Sequence, residues 1–220
     1  RPNEADAYNY NLTQNISSAN AEGEGWNKEH GMPQSNYYGM YPMYSDMHYL
    51  IPADARINQL RSNNPYGRTI GAANNCNKPN TTPCTTSNGS KLGKSRTPGF
   101  TGTVYEPIDE FKGDNDRMGV NFVTRYESRL SGFSSGGMLG GSTYPGLQEW
   151  EKVVLMAWAA QDPVSPAEVV RNNASYFFHG NRNPFIDHPE WIQTIWGTQV
   201  IDNQAPSTPT NLAVASTTTA

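Results

Sequence analysis

Glu29 and His30 stand side by side in the stretch Asn27-Lys28-Glu29-His30-Gly31-Met32-Pro33-Gln34-Ser35. A carboxylate beside an imidazole puts an oxygen ligand for a hard cation next to a group that can take a proton near neutral pH, a pairing suited to phosphodiester hydrolysis. Downstream, Asn58 and Arg61 lie three residues apart in Pro52-Ala53-Asp54-Ala55-Arg56-Ile57-Asn58-Gln59-Leu60-Arg61-Ser62, so a helix there carries a carboxamide and a guanidinium on one face. Between the two stretches, Ser45-Asp46-Met47-His48-Tyr49-Leu50 alternates as a strand does, with Asp46 and His48 on one side. His48 is either a second catalytic imidazole or a histidine held by buried hydrogen bonds. Asp46 is a carboxylate able to orient His30 or His48 from behind. Carboxylate, imidazole, carboxamide and guanidinium together make a metal-and-phosphate set.

Positioning that set requires a strand over residues 26–32, stopped by Pro33, and a helix over residues 52–62 with Pro52 in its first turn and Ile57 and Leu60 toward the core. Adjacent residues on a regular strand face opposite ways, so Glu29 and His30 serve one site only if the strand ends or bulges there. Tyr37, Tyr38, Tyr41 and Tyr44 follow among Gly39 and Pro42. They are expected to pack on the domain, with stacking of unpaired bases as the alternative. Residues 67–102 are rich in Asn, Thr, Ser, Pro and Gly and read as loop or short hairpins, with Lys91, Lys94 and Arg96 available to a substrate. Cys76 and Cys84 lie in this segment and could close a small ring in an oxidising compartment. No CxxC pattern offers a thiolate metal site.

The second half reads as helices. A helix through Val120, Phe122, Val123 and Tyr126 places Asp114 and Arg117 three apart, as a salt bridge or a phosphate contact. Leu147, Trp150, Val154 and Trp158 mark an amphipathic helix that ends before Asp162-Pro163. Ser165-Pro166-Ala167-Glu168 is a capping box opening a further helix, whose stripe of Val169, Val170, Ala174 and Phe177 is expected in the core. Asn172 on that helix either reaches substrate or makes inter-helix hydrogen bonds. A last short helix starts at Asp187-His188-Pro189-Glu190, with Trp191, Ile192, Ile195 and Trp196 inward and Gly197 as its stop.

A chain of 220 residues suits one well-buried domain. With 35% hydrophobic and 16% charged residues, its polarity is carried by Asn, Ser and Thr, as suits a loop-rich secreted protein. No apolar run is long enough to span a bilayer and none opens the sequence, so the expectation is an exported, non-membrane protein whose signal peptide has been removed. A net charge of −4 argues against a nucleic-acid partner. The basic interval of Arg56, Arg61, Arg68, Lys91, Lys94 and Arg96 offsets that objection, and an enzyme that must release product needs less attraction than a stable binder.

The sequence resembles the secreted bacterial non-specific endonucleases of the endonuclease I family. The stretches that carry the resemblance are Asn27 to Ser35, Ser45 to Asn63, Ser90-Lys91-Leu92-Gly93, Gly102 to Asp114, Trp158 to Ser165, Arg171-Asn172-Asn173 and Asn181 to Glu190. The resemblance implies an α+β fold, mainly helical, a single domain with a small sheet and a ββα-metal active-site motif, covering residues 1–201. Residues 202–220 would be a linker and the start of a fibronectin type III-like module. It further implies Glu29 and Asn58 as metal ligands and His30 as general base. Arg61, and with it Arg117, Lys91 and Asn172, would contact the nucleic acid. The ion would be Mg²⁺, with Mn²⁺ or Ca²⁺ as alternatives. The implied reaction is non-specific hydrolysis of DNA, with RNA as the alternative, to 5′-phosphate ends by a monomer. The competing reading is a polysaccharide-binding or adhesive module without catalysis, which the Tyr, Trp, Asn and Gly content would fit. A zinc hydrolase has no HxxxH-like spacing to support it.

Overall fold

The computed structural model describes residues 8–69, 74–76 and 82–197. Its first unit is an antiparallel pair, β1 (Trp26–His30) and β2 (Leu50–Asp54), in register from Trp26 opposite Asp54 to His30 opposite Leu50. The short helix α1 (Ala55–Arg61) follows β2 directly. Asp54 makes the junction, because its Oδ1 accepts from the backbone N–H groups of Arg56 (2.8 Å) and Ile57 (3.0 Å). A carboxylate at this position satisfies the orphan donors of the first turn. The helix therefore begins three residues later than expected, and Pro52 lies in β2 opposite Lys28.

The strand expected over residues 45–50 is absent. Met43–Ser45 is a 3-10 turn, and Asp46 Oδ1 accepts from the His48 N–H at 2.9 Å. An Asp that bonds its own backbone two residues on bends the chain and competes with an extended ladder. Between residues 8 and 25 the described chain forms one 3-10 turn, Leu12–Gln14, and is tied to the first unit by Trp26 Nε1 donating to the Asn11 carbonyl at 2.9 Å.

The segment expected as loop or hairpins does form hairpins. They give a second antiparallel sheet in the order β3 (Cys84–Thr85), β4 (Lys91–Lys94), β5 (Thr103–Glu106). A disulfide joins Cys76 to Cys84, and the Cys76 N–H donates to the Thr85 carbonyl at 3.0 Å.

The core lies between this sheet, the first unit and two helices, α2 (Lys112–Arg125) and α3 (Glu149–Gln161). Trp150, Val154, Leu155 and Trp158 of α3 and Val120, Phe122 and Val123 of α2 are buried. Phe122 meets Tyr49 edge-on at 5.1 Å and Tyr37 at 6.0 Å, so the loop between β1 and β2 is seated on α2. Two further helices, α4 (Pro166–His179) and α5 (Pro184–Asp187), lead to α6 (Glu190–Trp196). The fold is α+β, mainly helical, in one domain with two small sheets.

Two apolar expectations fail. The capping box of Ser165 and Glu168 is present, but α4 turns Glu168, Asn172 and Ser175 inward. Val169, Val170 and Phe177 face solvent. Polar pairs hold the helix instead: Asn172 exchanges two hydrogen bonds with the Asn183 backbone (2.8 and 3.1 Å), and Glu168 binds Arg117. In α6, Ile192 and Trp196 are buried while Trp191 and Ile195 are exposed, because a seven-residue helix has one inward face and residues four apart share it. Among the described residues no helix is long and apolar enough to cross a membrane. The expected fibronectin-like tail lies outside the described residues.

Candidate functional site

A cleft of about 860 Å³ runs past the first unit, and Lys28, Glu29, Asn58, Tyr66 and Tyr105 line it. Asn58 is oriented by its nitrogen. Nδ2 donates to Asn27 Oδ1 at 2.8 Å and to the Lys28 carbonyl at 3.1 Å. A backbone carbonyl only accepts, so the nitrogen must face β1. The amide oxygen makes no hydrogen bond among the described residues. Glu29 is 7% exposed, and its Oε1 forms a buried ion pair with Arg61. Burial raises the Glu29 carboxyl above its usual range, against the opposing pull of the Arg61 guanidinium.

One anionic and one neutral oxygen donor on the same cleft fit a hard divalent cation, with water and substrate oxygens completing the shell. Among the described residues no three His, Cys, Asp or Glu side chains gather as a metal cluster.

His30 is the last residue of β1 and is 6% exposed. Its Nε2 lies 2.9 Å from the Tyr44 carbonyl, which can only accept, so Nε2 carries the proton. Nδ1 keeps its lone pair and accepts from Gln34 Nε2 at 2.9 Å. Burial lowers the imidazole pKa, and the charges of Lys28 and Arg61 add to this against the Tyr44 hydrogen bond. The result is a neutral histidine of fixed tautomer, the form that accepts a proton. Pairing of β1 with β2 is regular up to His30, without a bulge. The strand ends there instead, with Glu29 turned to Arg61 and the cleft and His30 turned to Tyr44 and Gln34.

Arg61 and Arg117 do not fit the phosphate contacts expected of them. Arg61 is 2% exposed, and its donors go to Glu29, to the carbonyls of His30 (2.9 Å) and Gly31 (2.8 Å), and to that of Asn64 (2.9 Å). Its guanidinium also lies 4.5 Å over the Tyr66 ring. Arg117 is 1% exposed and clasps Glu168 at 2.5 and 2.8 Å, with Asp114 at 3.2 Å. Asn172 is likewise buried, in the contacts that bind α4 to Asn183 and Asp187. Lys91 sits on β4 opposite Glu106 and does not itself line the cleft, although its neighbour Ser90 does.

Asp46 orients neither imidazole. Its oxygens accept from the His48 N–H and from Tyr126 Oη (2.6 Å), and Oδ2 forms an ion pair with Arg125 at 3.2 Å. His48 is 3% exposed, its Nε2 donates to the Asn181 carbonyl at 3.2 Å, and it lines the same cleft as Glu29 and Asn58.

The residues that sequence reasoning missed are Asn27, Lys28 and Gln34. Lys28 is exposed at the cleft beside Glu29. Gln34 follows His30 by four positions in a 3-10 turn that brings its amide back to the ring. Its spacing from His30 was the available signal.

The sequence matches the endonuclease I family over residues 2–190. It is 33% identical over 186 residues to an extracellular ribonuclease of Bacillus amyloliquefaciens and 31% identical over 186 residues to one of Bacillus subtilis (strain 168). Each alignment takes in 78% of this chain and 54% of the relative, so the chain spans about half the length of the curated relatives it matches. With a family match over residues 2–190 and relatives 33% and 31% identical, the chain belongs to the endonuclease I family.

Proposed function

We propose that this chain is a secreted, metal-dependent endonuclease that hydrolyses nucleic-acid phosphodiesters without sequence specificity and leaves 5′-phosphate ends. The observation that carries the reading is the hydrogen bond from His30 Nε2 to the Tyr44 carbonyl, which leaves Nδ1 as a base at the end of β1. A phosphodiester lying across that strand end meets Glu29 and Asn58 on one side and the imidazole on the other. Gln34, exposed and bonded to Nδ1, moves aside or passes on the proton of the attacking water. Lys28 takes over the phosphate neutralisation that Arg61 and Arg117 are too buried to give. A divalent ion held by Glu29 and Asn58, Mg²⁺ in the first instance, would neutralise charge building on the scissile phosphate and its leaving oxygen. Contacts confined to the backbone of the substrate carry no sequence information. RNA stands beside DNA as substrate, because the two relatives are named ribonucleases.

Cleavage of plasmid and of structured RNA, measured in Mg²⁺, Mn²⁺, Ca²⁺ and chelator, tests the reading. His30→Ala should lower turnover by roughly 10²–10⁴-fold, the usual worth of a general base. Asn58→Ala should raise the Mg²⁺ concentration that gives half-maximal rate. Near-wild-type turnover in the His30 variant would remove it as the base. An intact plasmid and intact RNA under every metal would favour the adhesive-module alternative.

A further inference from the structure

The loop between β1 and β2 carries five tyrosines, and the fold buries Tyr37 and Tyr49 while leaving the other three exposed. Tyr37 is fully buried against Tyr49 and Phe122. Tyr38, Tyr41 and Tyr44 are 65%, 68% and 40% exposed. Tyr38 ends a 3-10 turn at φ +56°, a left-handed conformation uncommon for a bulky residue. Tyr41 and Tyr44 have ring centroids 5.3 Å apart, and the Tyr44 ring is 5.4 Å from His30 at an interplanar angle of 33°. A series of rings thus leads from the buried imidazole to solvent. Arg129, also exposed, donates to the Tyr41 carbonyl at 3.3 Å and brings a cation to the same loop.

We propose that Tyr38, Tyr41 and Tyr44 form a stacking platform for unpaired nucleobases of the strand being cut, so that single-stranded segments are the preferred substrate; this rests on the nuclease reading given above. Three features select this occupant. The Tyr41 and Tyr44 rings lead to His30, so a base stacked on them lies beside the imidazole assigned as the general base. Its rings are hydroxylated and half to two-thirds exposed, a surface that stays wet when empty and offers flat faces when filled. The Arg129 charge suits a phosphate running beside stacked bases. Bases inside a duplex have both faces covered and cannot use the platform, whereas RNA loops and single-stranded DNA can.

The test uses the whole chain and three substrates in Mg²⁺: an oligothymidylate, an abasic oligomer of the same length and a duplex. Stacking on a protein ring is worth about 5- to 150-fold per base. Tyr41→Ala, and more strongly Tyr38→Ala with Tyr41→Ala, should raise KM for the oligothymidylate by a factor in that range. Both should leave the abasic oligomer and the duplex unchanged, and Tyr41→Trp should restore wild-type KM. An equal loss on all three substrates, or no change on the oligothymidylate, would overturn the platform while leaving the nuclease reading intact. A wild-type chain that cuts none of the three and no structured RNA would remove both.

Discussion

Arg61 and Arg117 are both sealed inside the protein beside carboxylates, yet they do different work. Arg61 binds one oxygen of Glu29 and the carbonyls of His30 and Gly31, and so ties α1 to the end of β1. The second oxygen of Glu29 has no hydrogen bond among the described residues, and Glu29 lines the cleft. Arg117 takes both oxygens of Glu168, and one of these also accepts from the Ser165 N–H at 2.9 Å. Nothing on Glu168 is left over. A buried ion pair with one unspent oxygen facing a cleft can belong to a site, whereas a saturated one fastens two helices. An arginine in a sequence does not reveal which of these it will be.

The largest effect should come from Arg61→Ala. Removing one partner of a buried pair typically costs about 3–5 kcal/mol, because the other charge remains buried alone. Here it would also free Glu29 and the strand end. Urea unfolding should show the destabilisation, and cleavage by the protein that remains folded should fall as well. Full cleavage per folded molecule would break the comparison by showing that Arg61, like Arg117, only fastens elements.

Arg117→Ala should destabilise by a similar amount, about 3–5 kcal/mol. Turnover normalised to folded protein should stay near wild type, because Glu168 and Asp114 serve packing rather than chemistry. A fall in turnover without a fall in stability would restore Arg117 to the substrate.

The smallest effect concerns Asp116, beside Arg117 and 0% exposed, with neither carboxylate oxygen bonded among the described residues. Burial, with the Glu168 charge adding to it, pushes its pKa well above the carboxylate range despite Arg117. The folded state therefore favours the protonated acid. The stability this gives is complete below the unfolded pKa of about 4 and is lost as pH rises toward the folded value. Asp116→Asn should flatten that decline in a series of unfolding midpoints taken from pH 4 upward. An unchanged slope would mean that Asp116 finds a partner that keeps it ionised.

What could be read from the sequence was local. The capping box at Ser165, the pairing of Cys76 with Cys84 and the stripe of Trp150, Val154 and Trp158 each depend on residues within one turn or one loop. The first strand and the helix of the first unit were anticipated, but the strand that pairs with the first was expected over residues 45–50 and lies over Leu50–Asp54. Pro52 and Asp54 both favour the start of a helix, and only the pairing of Pro52 with Lys28 decides between them. The arginine roles were out of reach, because Glu168 lies 51 residues from Arg117 and Glu29 lies 32 from Arg61. Helix α4 misled for a related reason. Its apolar stripe promised a core contact, and the buried partners of its polar face, Arg117 and Asn183, come from other elements. The family resemblance supplied what spacing could not, the suggestion that Glu29, His30 and Asn58 act together.

That inverted helix has a thermal consequence. Unfolding raises the heat capacity in proportion to the apolar surface newly wetted and lowers it in proportion to the polar surface. Val170, Phe177 and Phe178 of α4 are 68%, 83% and 73% exposed, so water already covers most of them in the native state. Detaching α4 uncovers mainly Glu168, Asn172 and Ser175, whereas detaching α3 uncovers Trp150, Val154 and Trp158. The docking of α4 therefore carries a smaller heat-capacity increment than that of α3, and its strength curves less with temperature.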